Sequence, residues 1–315
     1  MTSGPETISM VSLITGINGF VGFWLSQFLV GRGDKVVGIS RKKNNRKQKV
    51  KVYQADVVDQ GRIFQIIKET KPNRIFHLAA QSNIPHSFTN PQETFKTNIN
   101  GTINILETLR VQKRKTVFVS VGSSGEYGEI ASKDHFLSET SPLSPSSPYG
   151  VSKAVQGYLN GLYTRSYNLN AVHVRPFAII GPGKTKDAIS DFARGIAAIE
   201  KGKAKTLLVG NTNHIRDFLD VRDATVALDL ISENGKSGEI YNVCRGQGVK
   251  LEEALEILIN LSKVKIKIKK DKNKIRPSDN PIIVGNPQKL ISLGFRPKIK
   301  LEQTLKEILD YWREK

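Results

Sequence analysis

The chain has 315 residues, 38% of them hydrophobic, enough for one large domain or two closely joined ones, and its single cysteine, Cys244, excludes a disulfide framework and fits a reducing, cytosolic setting. The net charge of +19 raises nucleic-acid binding, but the basic stretches 41–51 and 263–274 hold no aromatic to stack a base, so the charge reads as a lysine-rich surface that favours an anionic substrate. No apolar run approaches membrane-spanning length, and residues 1–9 have neither the basic start nor the apolar middle of a signal peptide and read as a loose extension.

The apolar run from Val11 to Thr15 predicts a first strand. Gly16, Gly19 and Gly22 follow it, and Phe20, Val21, Trp24, Leu25, Phe28 and Leu29 then recur at helical period. In such a strand–turn–helix, Gly16 lets the chain turn, Gly19 admits a pyrophosphate against the backbone, and Gly22 lets the helix pack on the sheet. The helix N-terminus adds unpaired N–H groups and the positive end of its dipole. Spacing alone also permits a glycine turn with no ligand; the rest of the chain decides.

Further strands are predicted at 35–40, 50–54, 74–78, 116–121 and 171–174, and helices at 59–70, 91–112 and 148–167. The 91–112 helix is expected to be long and amphipathic, carrying Phe95, Ile99, Ile103, Leu106 and Leu109. Alternating strands and helices argue for an α/β fold, a doubly wound parallel Rossmann sheet. Beyond Arg175-Pro176 the elements shrink: helices at 189–201, within 219–231, at 251–261 and 301–312, and strands at 205–209 and 239–243. Within 263–274, lysines alternate with Val264, Ile266 and Ile268, which predicts a strand with one dry face. The domains expected are 10–176 with parts of 215–243 for the dinucleotide, and 177–214 with 244–315 as a smaller α/β substrate lobe.

Ligands of such sheets lie outside the carboxyl ends of the strands, and the unusual polar residues collect there. Arg41, after the second strand, stands where an acidic residue meets an unphosphorylated ribose, and so favours NADP over NAD. Asp56 follows the third strand, placed for an adenine amino group. Ala79-Ala80 follow the fourth and are small enough for a cofactor to lie against backbone. After the fifth comes Ser123-Ser124-Gly125-Glu126-Tyr127-Gly128. Tyr149 and Lys153 share one helical face, where an ammonium beside the phenol is expected to lower its pKa and make it an acid or base near neutrality. Ser123 offers a second hydroxyl to the same substrate oxygen. His77, His86, His135, His173 and His214 lack metal-ligand spacing, so no metal is expected, and Cys244 reads as a small core residue.

From Thr15-Gly16-Ile17-Asn18-Gly19-Phe20-Val21-Gly22 to the last helix, through Arg175-Pro176-Phe177, Gly181-Pro182-Gly183 and Arg216-Asp217-Phe218-Leu219-Asp220-Val221, the chain resembles the extended short-chain dehydrogenase/reductases of the nucleotide-sugar type. Arg276-Pro277-Ser278-Asp279, Val284-Gly285 and Leu309-Asp310-Tyr311-Trp312-Arg313 resemble the GDP-4-dehydro-6-deoxy-mannose reductases, relatives of the GDP-mannose 4,6-dehydratases.

That resemblance implies NADPH or NADH bound by Gly16, Asn18, Gly19, Phe20, Val21, Arg41, Asp56, Val57, Leu78, Ala79, Ala80, Tyr149, Lys153 and Pro176. It implies a GDP-linked sugar met by Ser82, Ser123, Ser124, Tyr149, Arg194, Arg216, Arg276 and Asp279, the arginines on the diphosphate. Ser123, Tyr149 and Lys153 would be catalytic. It also implies a homodimer through helices 91–112 and 148–167, in the cytoplasm, with no nucleic-acid or membrane partner. Ala178 replaces the family's usual asparagine. The dehydratases carry an acid two before the tyrosine of Tyr-Gly, where this chain has Gly125; Glu126, one later, is expected to face away as its neighbour's opposite in an extended segment. The activity expected is reduction of the C4 ketone of GDP-4-dehydro-6-deoxy-D-mannose to GDP-D-rhamnose or its C4 epimer. The alternatives are a 4,6-dehydratase or 4-epimerase and, in another class, a non-catalytic dinucleotide-binding regulator.

Overall fold

In the computed structural model, residues 10–43, 50–128, 136–271, 274 and 280–315 are described. The elements run β1 (Val11–Thr15), α1 (Phe20–Gly31), β2 (Lys35–Ser40), β3 (Lys51–Gln54), α2 (Gln60–Thr70), β4 (Arg74–His77), α3 (Ile84–Thr89), α4 (Pro91–Phe95), a π turn (Lys96–Asn100), α5 (Gly101–Val111), β5 (Val117–Val121), a 3₁₀ turn (Ser124–Glu126), β6 (Phe136–Leu137), α6 (Pro148–Tyr167) and β7 (Ala171–Pro176). They continue β8 (Ala178–Ile180), α7 (Ala188–Glu200), β9 (Leu207–Val209), β10 (Ile215–Asp220), α8 (Val221–Asn234), β11 (Ile240–Val243), β12 (Gly248–Lys250), α9 (Leu251–Asn260), β13 (Ile268–Lys270), β14 (Ile282–Gly285), α10 (Gln288–Ser292) and α11 (Leu301–Arg313).

The chain divides into two units. The first takes the residues to Glu126, Ser147–Arg175 and Leu228–Tyr241; the second takes Tyr127–Ser146, Pro176–Ala227 and Asn242–Lys315. The stretch 127–146, which the sequence reading leaves inside the first domain, thus packs with the second unit.

The first unit is built on a seven-stranded sheet ordered β11-β7-β5-β4-β1-β2-β3. The pairings from β7 to β3 are parallel, with Leu13 opposite Val37 on one side and Ile75 on the other. On one face of this sheet Leu13, Val37, Ile39, Ile75 and Phe118 pack against Ile63, Ile66 and Ile67 of α2 and Ile105, Leu106 and Leu109 of α5. Strand order reverses between β1 and β4, which makes their carboxyl ends the crevice of a doubly wound sheet. At the other end of the sheet, Arg74, 1% exposed, bonds Ser12, Asp34, Asp229 and Ser232, so the buried guanidinium is fully paired.

In the second unit, β12-β10-β14-β6 form a sheet with β8 added on β10. Helices α7, α9 and α11 pack on it through Phe192, Ile196, Leu255, Leu258, Leu305 and Ile308.

Two expectations are corrected. The 91–112 helix is interrupted, because residues 96–100 widen into the π turn. Among the described residues of 263–274, only Ile268–Lys270 is a strand, paired with β9, and all three of its residues are exposed. Val264 is 42% and Ile268 49% exposed; only Ile266 packs on the core, so there is no dry face. Two-residue alternation set the expectation, but an edge strand of a two-stranded ribbon has nothing to cover it.

Candidate active site

Strand β1 ends in Thr15, and the chain turns at Gly16 with φ +72°; a Cβ there would stand 2.8 Å from the Ala79 nitrogen. Only glycine meets both demands. A Cβ on Gly22 would lie 2.4 Å from the Gly16 oxygen, so α1 starts directly against the turn. Gly19 caps α1 with no side-chain hydrogen bond, and no acidic residue sits in that first turn to oppose an anion at the helix N-terminus. Phe20 and Val21, half-buried, open the helix. The Asn18 amide donates to Ser40 Oγ (3.0 Å) and to the Lys42 carbonyl (3.3 Å), tying the turn to the end of β2. Its Oδ1 is buried with no partner among the described residues. Exposed Arg41, Lys42 and Lys43 follow β2. The set fits a phosphate-rich dinucleotide: a cradle that excludes side chains, an open helix N-terminus, an orphaned acceptor and a cationic rim.

The neighbouring strand ends complete the cradle. Asp56 turns the chain after β3 by accepting from Val58 N (3.1 Å), and buried Val57 packs where a Cβ on Gly101 would collide. Leu78, Ala79 and Ala80 are half-buried after β4. Thr15 Oγ1 holds Ala79 N (3.1 Å) and bonds His77 Nδ1 (2.8 Å). Burial pushes the His77 pKa down to about 3, so the ring is a neutral structural group.

Helix α6 begins where Ser147 Oγ accepts from Gly150 N (3.0 Å) and Pro148 takes the first turn. That start puts Tyr149 beside the loop after β5. Ser123 Oγ accepts from Gly125 N (3.0 Å) and stands close enough to the Tyr149 phenol to favour its ionised form. A Cβ on Gly125 would lie 3.3 Å from Ser123 Oγ and 3.8 Å from the Tyr149 ring, so position 125 faces the Ser123 hydroxyl and the flank of the Tyr149 ring and brings no functional group to them. Ser124 is half-buried in the 3₁₀ turn, and Ser82 is exposed after β4.

The expected effect of Lys153 on Tyr149 is corrected. Burial raises the phenol to about 12 and outweighs the opposite influence of Ser123. The ammonium, 5.9 Å from the ring centre, is itself lowered to about 8 by burial and donates to the Val121 carbonyl (2.7 Å) and Gln156 Oε1 (2.8 Å). Desolvation of both groups overrides their proximity.

Glu126 does face away, by a different route from the one expected: the segment is a 3₁₀ turn, and the carboxylate is fully buried beneath it. Oε1 accepts from Ser123 N (2.9 Å) and His173 Nε2 (2.9 Å), and Oε2 from Arg175 Nε (2.8 Å). Burial alone would raise its pKa, but His173, Arg175 and the Ser123 amide together hold it below the usual carboxylate range.

The remaining expected residues lie in the second unit. Pro176 ends β7. Arg216, half-buried on β10, donates to the Ile215 and Pro281 carbonyls. Arg194 is exposed on α7, paired with Asp191 (2.6 Å) and lying over the Trp312 ring (5.4 Å). Arg276 and Asp279 lie outside the described residues, as does His135. Asp217, named in the sequence only as part of a family-type segment, accepts from the amides of Arg245, Gly246 and Gly285 and braces β10. No cluster of metal-ligating side chains occurs among the described residues. Cys244 is buried and its thiol pKa is pushed up, which leaves it inert.

Sequence reasoning also missed Thr15, Asn98, Thr102 and Gln156, all buried and hydrogen-bonded around His77 and Lys153. The available signal was polar residues on helix faces that are otherwise apolar.

Comparison with known proteins agrees with this geometry. A family model described as GDP-mannose 4,6-dehydratase matches residues 13–308. The GDP-6-deoxy-D-mannose reductase of Pseudomonas aeruginosa PAO1 is 30% identical over 305 residues, covering 96% of this chain and 97% of the relative. Among solved structures, RMD from Pseudomonas aeruginosa complexed with NADPH superposes with a TM-score of 0.85 at 29% identity, over 97% of this chain and 99% of that one. The Thermus thermophilus UDP-glucose 4-epimerase complex with NAD gives 0.87 at 27% identity, over 96% and 99%.

Proposed function

The chain belongs to the GDP-mannose 4,6-dehydratase family, and from that premise we propose that it is a reductase within it, converting the C4 ketone of GDP-4-dehydro-6-deoxy-D-mannose to GDP-D-rhamnose or the C4 epimer. The observation that carries the reading is the loop at 123–126. Ser123 and Tyr149 put two hydroxyls together, Gly125 brings no carboxylate to them, and Glu126 is spent on His173 and Arg175. Water elimination from a hexose needs a base at C5; ketone reduction needs only donors at the oxygen.

The cofactor is NADPH or NADH, and it supplies the hydride equivalent that the ketone carbon requires. Gly16, Gly19 and the α1 N-terminus hold its pyrophosphate, and Arg41 with its lysine neighbours favours a 2′-phosphate, hence NADPH. Tyr149, protonated up to about pH 12, is the acid that gives its proton to the developing alkoxide. Ser123 hydrogen-bonds the same oxygen, so both donors act where charge develops in the transition state. Lys153 places a positive charge beside Tyr149. The family resemblance assigns Arg216 and Arg276 to the diphosphate and Asp279 to the nucleoside.

The dimer expected from helices 91–112 and 148–167 is part of the same proposal. Val151, Tyr158 and Leu162 of α6 are 38%, 65% and 45% exposed and fall on one helical face, an apolar stripe suited to a second copy. A cytoplasmic setting is consistent with the lone buried thiol, and no helix among the described residues is long and apolar enough to cross a membrane.

The test is the absorbance band of reduced nicotinamide, followed with pure protein and the keto sugar, and in parallel with GDP-mannose and oxidised cofactor. Loss of the band with the keto sugar alone supports the reductase. A keto sugar formed in the parallel tube makes the enzyme a dehydratase.

A further inference from the structure

Lys153 is 3% exposed, and a buried ammonium is costly unless protein acceptors replace water. One acceptor, the Val121 carbonyl, belongs to β5 and would be there for any side chain at 156. The other is Gln156 Oε1, one helical turn along α6. A glutamine amide presents an oxygen at one end and two donors at the other, so its usefulness to Lys153 depends on which end faces it.

The surroundings settle the orientation. Gln156 Nε2 donates to the Asn98 carbonyl (3.0 Å) and to Thr102 Oγ1. Reversed, the amide would set its donors against an ammonium and its oxygen against a carbonyl. Thr102 spends its own proton on the Asn98 carbonyl (2.7 Å), so its lone pairs are what Gln156 and His77 Nε2 (3.1 Å) meet. His77 is therefore the Nε2–H tautomer, and its Nδ1 accepts from Thr15. One proton arrangement fits Gln156, Thr102, His77 and Thr15 together, and all are essentially inaccessible to solvent. Asn98 lies in the π turn that interrupts the 91–112 helix, a distortion that commonly marks a working position. Its side chain is held in turn by Gln81 and Ser152.

We propose that Gln156 is a positioning residue for Lys153, oriented by the Asn98 carbonyl and Thr102 so that its amide oxygen holds the catalytic ammonium in place and in its charged form. The inference rests on the reductase reading only for the word catalytic; the positioning itself is a property of this cluster. The low pKa of Lys153, about 8, makes the effect visible, since a small change in its support moves its titration through the working range. The other charged or titratable groups that bear on Lys153 are Tyr149 on α6, Glu126 after β5, whose charge raises the lysine, and His77 on β4. Behind Glu126 stand His173 and Arg175 of β7. The π turn and α5 contribute Asn98 and Thr102, which do not titrate.

Two substitutions with opposite chemistry test this. Gln156→Met keeps the volume and removes the acceptor; Gln156→Glu puts an anion opposite the ammonium. The alkaline limb of the kcat–pH profile should move down by about one unit in Gln156→Met, the worth of one hydrogen bond to a charged group, and up in Gln156→Glu. The Lys153 Cε resonance, assigned by its loss in Lys153→Met, should titrate with the same two displacements in the cofactor-free protein. Displacement of both variants in one direction, or a fall in kcat with neither the limb nor the resonance displaced, would mean that Gln156 only fills space and would overturn the proposal. If the wild type reduces no sugar ketone, the reductase reading fails, and the resonance alone decides the positioning role.

Discussion

Glu126 is the residue on which the choice between reductase and dehydratase turns, and Glu126→Gln separates its structural from its chemical weight. The carboxylate accepts from Ser123 N, His173 Nε2 and Arg175 Nε, with Glu126 wholly buried and Arg175 4% exposed. Glutamine retains one oxygen for the first two donors but turns an N–H₂ toward the guanidinium. The charge-assisted bond lost is worth about 1.5–3 kcal/mol, and the buried cation left behind can raise the cost to roughly 3–5 kcal/mol. Domains hold only about 5–15 kcal/mol in total, so the urea midpoint should fall markedly while a folded population remains at low denaturant. Turnover per folded molecule should stay within about tenfold of wild type, since no group that transfers a proton is removed. The pH dependence carries a second signature. Because the folded pKa of Glu126 is depressed, its stabilisation is complete above the unfolded value near 4.5 and is lost as pH falls through the lower folded value. The variant should therefore lose less stability than wild type below pH 4.5. A loss of turnover on the order of 10²–10⁴ with an unchanged midpoint would refute the reasoning and make Glu126 a base.

Three other outcomes are expected. Tyr149→Phe should lower kcat by about 10²–10⁴ while cofactor affinity, titrated by nicotinamide fluorescence, stays near wild type. The kcat–pH profile should fall on the alkaline side near pH 8, where Lys153 loses its proton, and not near 12, where Tyr149 does. Arg41→Ser should raise the KM for NADPH about tenfold or more, one lost phosphate contact, and leave that for NADH unchanged.

Much of the fold was legible from periodicity. The bounds of α6 follow from Ser147-Pro148 at one end and Asn168 at the other, whose left-handed backbone (φ 53°) stops the helix. The glycine turn was legible because sterics leave no alternative at Gly16 and Gly22. The short strands of the second unit were less so. Strands such as β8 and β12 have three residues, too few to show a period, and are fixed by pairing with β10, which no local pattern announces. The interruption at 96–100 was hidden because Phe95, Ile99 and Ile103 keep a helical spacing through it. Among the candidate site residues, Ser123, Tyr149 and Lys153 were singled out by their order along the chain, and the structure sets the Lys153 ammonium 5.9 Å from the Tyr149 ring centre. The direction of the Tyr149 pKa shift was misjudged because burial cannot be read from a Tyr-x-x-x-Lys spacing. Gln156 was invisible for the same reason: its importance lies in which amide end faces Lys153, and that is set by Asn98 and Thr102, 58 and 54 residues away.

The most direct measurement is the proton NMR spectrum of the product formed from GDP-4-dehydro-6-deoxy-D-mannose and unlabelled NADPH in heavy water, read against an enzyme-free control. With position 125 empty and Glu126 withheld, the sugar should carry protium at C4 and keep its original protium at C5. Enzyme-dependent deuterium at C5 would mean that a base reaches that carbon, and would contradict the assignment of this site to ketone reduction.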